Sequence, residues 1–404
     1  MTTLSQSGRS VPRTRAERRN TALVGTPLLV VGVALAAANL RPAVTSLAAV
    51  LGEVRGSLGA SQAWASLLTA VPSVCFGLAG VLAPRVNRGL GMARAVGAAM
   101  AVLTAGLLLR VVDGPVVVLG GTLIACSGIA LGNVLLPVVI KAAFPDRVGL
   151  VTGVYTAALA AGGGLGAAAT SPLERWLDWR GALAAWAVLS AAALLLWAVS
   201  ARHAEVGEQV RQVEPRRSLL RSRLAWVVTA FFGLQALVAY TVMGWMPQLF
   251  VDAGLSRDAG GVLLAITSTV GVPVSLLVPP IAARAKDQSR WIGAMSAVGG
   301  LGVLGLWLAP AAVPLLWAVL VGVGMSVFSL AVVVISLRTA TPEDTAALSA
   351  MAQSIGYLVG ALGPFGFGFL HGLTGGWSAS LVFVLVIIAG QFTFGVAAGR
   401  DRTV

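Results

Sequence analysis

Pro115-Val-Val-Val-Leu-Gly-Gly-Thr-Leu-Ile-Ala-Cys-Ser-Gly-Ile-Ala-Leu-Gly-Asn133-Val-Leu-Leu-Pro137-Val-Val-Ile140 runs without a single charged residue. It exceeds the ~20 apolar residues that a helix needs to cross a bilayer. It is too long for a barrel strand and lacks the alternation such a strand requires. Eleven further stretches read the same way: 22–50, 62–83, 93–112, 149–170, 181–200, 224–250, 259–282, 291–309, 312–337, 346–370 and 377–398. Only helices and closed barrels satisfy the backbone in lipid, so the pattern predicts an all-α integral membrane protein of twelve transmembrane helices. The composition agrees. Of 404 residues, 57% are hydrophobic and 11% charged, against about a quarter charged in soluble proteins. An ordinary soluble enzyme, a disordered chain and a disulfide scaffold are all excluded. The two cysteines, Cys75 and Cys126, fall inside spans, where they pack as small hydrophobes.

The net charge of +13 would suggest nucleic acid in a soluble protein, but its distribution describes a membrane orientation instead. Of the 28 lysines and arginines, 22 fall on the side of the N-terminal tail. Five fall on the other side: Arg55, Arg110, Arg175, Arg180 and Arg257. The positive-inside rule assigns the rich side, with both termini, to the cytoplasm. The predicted organisation is a basic tail over 1–21, a six-helix bundle over 22–200, a central cytoplasmic loop over 201–223, a second bundle over 224–398 and a short tail over 399–404.

The two bundles resemble each other. Lys141-Ala-Ala-Phe-Pro145-Asp146 has a counterpart in Arg338-Thr-Ala-Thr-Pro342-Glu343, and each precedes a span with a glycine cluster, 162–166 and 360–363. Such a six-plus-six duplication resembles the major facilitator architecture, in which two halves rock about a site near mid-membrane. Gly80-Val-Leu-Ala-Pro84-Arg85-Val-Asn87-Arg88 resembles that superfamily's Gly-x-Leu-Ala-Asp-Arg-x-Gly-Arg signature, departing at Pro84 and Asn87. The resemblance makes Arg85 and Arg88 the expected gating loop.

Intramembrane polar groups are functional candidates by default. All fifteen carboxylates lie in loops, tails or span ends. One cation lies on neither side. Arg41 is about 33 Å along a helix from Arg19 and about 18 Å from Glu53. Without an intramembrane carboxylate, Arg41 either anchors an anion, which its planar guanidinium suits, or ties helix 1 to a neighbour's carbonyls. Pro42 removes a helix hydrogen bond and biases residue 41 away from helical geometry, so a broken first helix is expected. Asn39 and Thr45 are close by. Other mid-span groups are Asn133, Tyr155, Gln235, Tyr240, Gln353 and Tyr357. Of these, Asn133, Gln235, Tyr155 and Gln353 join Arg41 and Asn39 as expected substrate contacts. Gln235 lies near the position in helix 7 that the repeat matches to Arg41. His371, at the end of helix 11, is the candidate for proton coupling, while His203 lies in the central loop. The glycine runs 162–164, 299–302 and 360–368 do not match phosphate-loop spacing and read as close helix packing. Trp64, Trp176, Trp179, Trp245 and Trp377 read as an interfacial belt. No metal-ligand cluster and no nucleophile with a base in its own span is present, so an enzyme and a cofactor are not expected.

Asn39-Leu-Arg41-Pro42-Ala-Val-Thr-Ser46 and Gly132-Asn133-Val-Leu-Leu-Pro137-Val-Val-Ile-Lys141, running on through Phe144-Pro-Asp-Arg147-Val-Gly-Leu and Gly153-Val-Tyr155, resemble the cyanate permease and 2-nitroimidazole transporter family. Gly360-Ala-Leu-Gly-Pro364 and Leu370-His371-Gly-Leu-Thr-Gly-Gly-Trp377 fit it too. The resemblance implies a bacterial inner-membrane major facilitator that moves a small solute by alternating access, with Arg41 its leading site residue. Two readings follow: a carrier of a small, cyanate-like anion held by Arg41, or an exporter of neutral nitroimidazole-like compounds in which Arg41 is structural. The expected partners are the solute, protons and the lipid bilayer, with no nucleic acid, and a monomer is expected.

Overall fold

The computed structural model describes residues 22–23, 26–144, 147–202, 206–207, 219–282 and 284–404. The basic tail 1–21, His203 and most of the central loop lie outside the described residues. The chain is helical: α1 (Pro27–Ala38), α2 (Pro42–Ala49), α3 (Leu51–Ser57), α4 (Gln62–Leu90), α5 (Met92–Leu109), α6 (Pro115–Ala143), α7 (Val148–Arg202), α8 (Arg223–Asp252), α9 (Arg257–Ala282), α10 (Ser289–Leu308), α11 (Pro314–Met325), α12 (Val327–Leu337), α13 (Pro342–Gly360), α14 (Leu362–Thr374) and α15 (Ser378–Gly399). Ala22–Leu23 and Val206–Gly207 form a two-residue antiparallel pairing, the only one among the described residues.

Eleven helical runs are long and apolar enough to cross a membrane, one of them covering Leu150–Ser200. That run is two spans. Asp178 breaks it with φ 54° and ψ 179°, and its carboxylate accepts hydrogen bonds from the N–H groups of Arg180 (2.6 Å) and Gly181 (3.0 Å). It thereby caps the sixth span as it begins, and twelve spans result. The expected loop over 171–180 shrinks to this single residue.

Three other spans are interrupted. The first divides into α1, α2 and α3. Pro42 cannot donate to the Ala38 carbonyl, and Arg41, at φ −114° and ψ −33°, stands outside both helices. The tenth breaks at Ser326 and the eleventh at Ala361. The motif over 80–88, expected as a loop, forms the last turns of α4. Asn87 replaces the signature's glycine, and the helix continues to a turn at Gly91, whose φ of 79° favours glycine.

Contacts between connections follow the alternating topology. The N–H of Gln288 donates to the Gly399 carbonyl and that of Val404 to the Arg338 carbonyl, both at 2.9 Å, joining connections of the arginine-rich face. At the arginine-poor face Arg180 pairs with Asp113 at 2.7 Å, and Trp377 Nε1 donates to Asp252 at 3.0 Å. Glycines set the helix spacing. A Cβ on Gly162 would overlap the backbone of Ala38, and one on Gly299 would lie 2.8 Å from the Gly324 Cα. Across the two halves, Gly77 of α4 faces Leu358 of α13, Gly261 of α9 faces the Ala167 carbonyl of α7, and Gly244 of α8 faces Thr69 of α4.

The tryptophan belt needs correction. Trp176 is exposed, but Trp179 and Trp245 are buried. Trp245 Nε1 donates to the Pro364 carbonyl at 2.9 Å, a partner that a buried indole requires. Trp179 lies under the Arg180 guanidinium, 4.3 Å from its ring.

Candidate functional site

The turn at residues 39–41 lies between two short helices and against α7. The Arg41 stem rests on Gly163, where a Cβ would lie 3.1 Å from Arg41 Cδ and 3.2 Å from its Cβ. Thr45 Oγ1, one turn along α2, donates to the Gly163 carbonyl at 2.9 Å. The half-buried Arg41 guanidinium makes no hydrogen bond or ion pair among the described residues. The three tyrosines of the chain are Tyr155, Tyr240 and Tyr357.

These tyrosines come from both halves. Tyr155 of α7 donates its hydroxyl hydrogen bond to Asn133 Oδ1 of α6 at 3.1 Å, and Asn133 Nδ2 donates to the Ile129 carbonyl at 3.2 Å. Tyr240 of α8 and Tyr357 of α13 have ring centroids 6.1 Å apart. Phe76 of α4 faces both, at 5.9 and 5.4 Å. Phe232 meets Tyr357 edge-on at 5.1 Å. The result is one cation from the break in the first span, with a hydroxyl–amide pair and an aromatic wall contributed by five further helices, α4, α6, α7, α8 and α13. Such a surface suits a small planar solute with anionic oxygen: the guanidinium fork meets the oxygens and the rings cover the faces.

The other sequence-predicted residues divide. Gln353 stands one turn from Tyr357 on α13, its Nε2 donating to Ser349 Oγ at 2.6 Å. Asn39 turns away from the cluster: buried, it donates to the Leu35 carbonyl (2.8 Å) and to the Leu189 carbonyl of the sixth span (3.4 Å). Gln235 is also turned aside. It is buried and donates to the Met325 carbonyl at 3.2 Å, pinning α8 to the break in the tenth span. His371 stacks on Trp377 at 3.7 Å with its Nδ1 buried and unpartnered. It lies about 20 Å along the helix from Tyr357. Arg85 and Arg88 are exposed at the arginine-rich end of α4.

Two features were beyond the sequence reading. Phe76 is an apolar residue in an apolar span and gives no signal. Arg110, expected on the arginine-poor surface, is fully buried. It stands at the end of α5, and its side chain turns inward onto α2. Arg41, half-buried, is therefore not the only cation turned inward among the first six spans.

At the arginine-poor face the halves are joined by charge. Arg257 of α9 pairs with Glu53 of α3 and stands 3.9 Å from Glu174 of α7, while Arg175 pairs with Asp258 at 2.5 Å. Glu53, Arg257, Trp179 and Gln248 line a cavity of about 510 Å³ there. Burial raises the Glu53 carboxyl above its ordinary range, against the lowering effect of Arg257.

The Major Facilitator Superfamily family model matches residues 17–364. The chain is 35% identical over 382 residues to the 2-nitroimidazole transporter of Escherichia coli K12, covering 93% of this chain and 96% of that one. It is 29% identical over 356 residues to the cyanate transport protein CynX of the same organism, covering 87% and 92%. A crystal structure of a D-xylose-proton symporter superposes with a TM-score of 0.73 at 15% identity, covering 92% of this chain and 96% of that one.

Proposed function

Since the chain belongs to the Major Facilitator Superfamily, we propose that it carries a small planar anion through the bacterial plasma membrane by alternating access, with Arg41 as the anion's anchor. It is a transporter and not an enzyme. The observation that supports this reading is the Arg41 guanidinium, half-buried and without a hydrogen-bonding or ionic partner among the described residues. A guanidinium without a partner leaves its fork of N–H donors available, and a bound anion satisfies them. The anion would sit between Arg41 with the Asn133–Tyr155 pair on one half and Tyr240 with Tyr357 on the other. Occupancy thus links the two halves, as rocking about a central site requires. The arginine excess orients the rich face, with both termini, to the cytoplasm. We take the protein as a monomer in the bilayer, and the halves as 22–200 and 224–398. For proton coupling the reading offers His371 and Glu53, both at the arginine-poor face.

The test uses purified protein, with cyanate, nitrate, benzoate and 2-nitroimidazole as probes in thermal-shift titrations and proteoliposome transport. A ligand that binds the native state raises apparent stability. An anion is expected to do so for the wild type and not for Arg41→Ala, which should still fold. Unimpaired anion transport by Arg41→Ala ends this reading. The aromatic wall and the similarity to a 2-nitroimidazole transporter favour a second: a neutral nitroheterocycle held by the rings, with Arg41 structural. In that case Phe76→Ala abolishes 2-nitroimidazole transport and Arg41→Ala does not.

A further inference from the structure

Arg110 is fully buried, and no carboxylate pairs with it among the described residues. Its Nη1 donates to the Ala43 carbonyl at 2.6 Å and its Nη2 to Ser46 Oγ at 3.2 Å. Its Nε is buried and unpartnered. Both acceptors lie on α2, two and five residues beyond Arg41.

The helix α2 is unusual in how it is held. It has eight residues, with the turn at 39–41 on one side and Val50, at φ −121° and ψ 19°, on the other. The regular helix is interrupted at both ends, by the turn at 39–41 before it and by the kink at Val50 that separates it from α3 (Leu51–Ser57). With the hydrogen-bond ladder broken at both ends, side contacts do much to set its rotation. On one flank Thr45 binds the Gly163 carbonyl, and a Cβ on Gly166 would lie 2.7 Å from Pro42 Cα. On another flank the tie is Arg110, which grips the helix with two donors.

Elsewhere in the chain a buried arginine has a structural explanation. Arg338 donates to the Ala398 and Gly399 carbonyls at 3.0 and 2.8 Å, binds Gln288, and has Asp401 at 3.5 Å. It closes the end of α15 and has an acid nearby. Arg110 has no acid and satisfies its guanidinium only in part. An apolar side chain of similar size would be the less costly way to fill that space. What Arg110 supplies beyond filling is a directed grip on the helix that begins at Arg41.

We propose that Arg110 is a positioning residue for anion recognition: by gripping Ala43 and Ser46 it fixes the rotation of α2 and so holds Arg41 toward the tyrosine cluster. This rests on the reading of Arg41 as anchor.

A double-mutant cycle tests it, with dissociation constants for cyanate and benzoate measured on folded, monodisperse protein. The variants are Arg110→Met, Arg41→Lys and the pair. Arg110→Met should weaken binding at least tenfold, about 1.4 kcal/mol, and should raise KM more than it lowers kcat. In the Arg41→Lys background, where the guanidinium fork is gone, the same substitution should cost threefold or less, because coupled residues are non-additive. Ser46→Ala, which removes one acceptor with little change in volume, should weaken binding about threefold and serves if Arg110→Met does not fold. A residue that only stabilises the bundle would lower the melting temperature and leave these constants unmoved. Wild-type affinity in Arg110→Met or Ser46→Ala, with Arg41→Lys impaired, overturns the role of Arg110 alone. Fully additive losses overturn it as well. Wild-type affinity in Arg41→Lys and in Arg41→Ala overturns the anchor reading and this one together.

Discussion

Replacing Gly166 by alanine adds one methyl group at the place where α7 crosses the first residue of α2. The new Cβ would lie 2.7 Å from Pro42 Cα, 3.2 Å from Pro42 Cβ and 2.5 Å from Thr45 Oγ1. Ordinary carbon contact is about 3.5–4.0 Å, so α2 and α7 must part by about 1 Å. The obstruction is backbone, and Pro42 has no rotamer that relieves it. Overpacking of this kind costs about 1–3 kcal/mol. The displaced residue adjoins Arg41, so the loss should also appear as weaker anion binding. Gly120→Ala is the control. It too lies within a helix, α6, but has open space around it, and alanine favours a helix by up to about 1 kcal/mol. Thermal unfolding of the purified variants, with transport in proteoliposomes, should show Gly166→Ala melting several degrees lower and transporting poorly, and Gly120→Ala matching the wild type or exceeding it. Adding Thr45→Ala removes the Oγ1 overlap but not the Pro42 overlap, and should not restore transport. If Gly166→Ala melts and transports like the wild type, the close crossing does not exist in the membrane, and the argument that α7 sets the position of Arg41 fails.

Three further outcomes are expected. Arg257→Gln removes the link between Glu53 and the second half. The pair is only partly exposed, and surface pairs contribute about 0.2–1 kcal/mol, so a cysteine introduced at Ala49 beside the cavity should react severalfold faster with an impermeant maleimide. Burial raises the Glu53 carboxyl above its ordinary range, so the closed arginine-poor face binds a proton more tightly than an open, solvated one. Acidification, from the raised value down toward the ordinary one, should therefore slow the same labelling, and Glu53→Gln should remove the pH dependence; faster labelling in acid would show that the ion pair outweighs desolvation. Arg338→Met leaves the Ala398 and Gly399 carbonyls without their side-chain donor and should lower the melting temperature by an amount consistent with about 1–3 kcal/mol. Its anion affinity, measured by the same titrations, should be unchanged.

What the sequence made legible follows from the kind of information each feature carries. Lipid forces long apolar runs and a one-sided arginine excess, so spans and topology can be read residue by residue. A proline stops donating wherever it sits, so the break before Pro42 was legible too. Rotation about a helix axis is not encoded in this way. In an apolar span every face is apolar, and the periodicity that marks the buried face of a soluble helix is absent. Asn39 and Gln235 therefore looked equivalent to Asn133, yet the first turns to Leu189 and the second to Met325. Phe76 reaches the tyrosines for the same unreadable reason. Arg110 shows a further limit. Its position, one residue beyond Leu109 and three before Asp113, is that of an interfacial arginine, but its long stem turns inward where the broken first span leaves α2 without helical continuity. A chain that interrupts a membrane helix to present one cation has to hold the fragment by other means. The neighbouring glycines allow α7 to press on it from one side, and on another the grip comes from a second cation. The break at Pro42 and the burial of Arg110 are, on this view, two parts of one arrangement, and loss of either should be felt at Arg41.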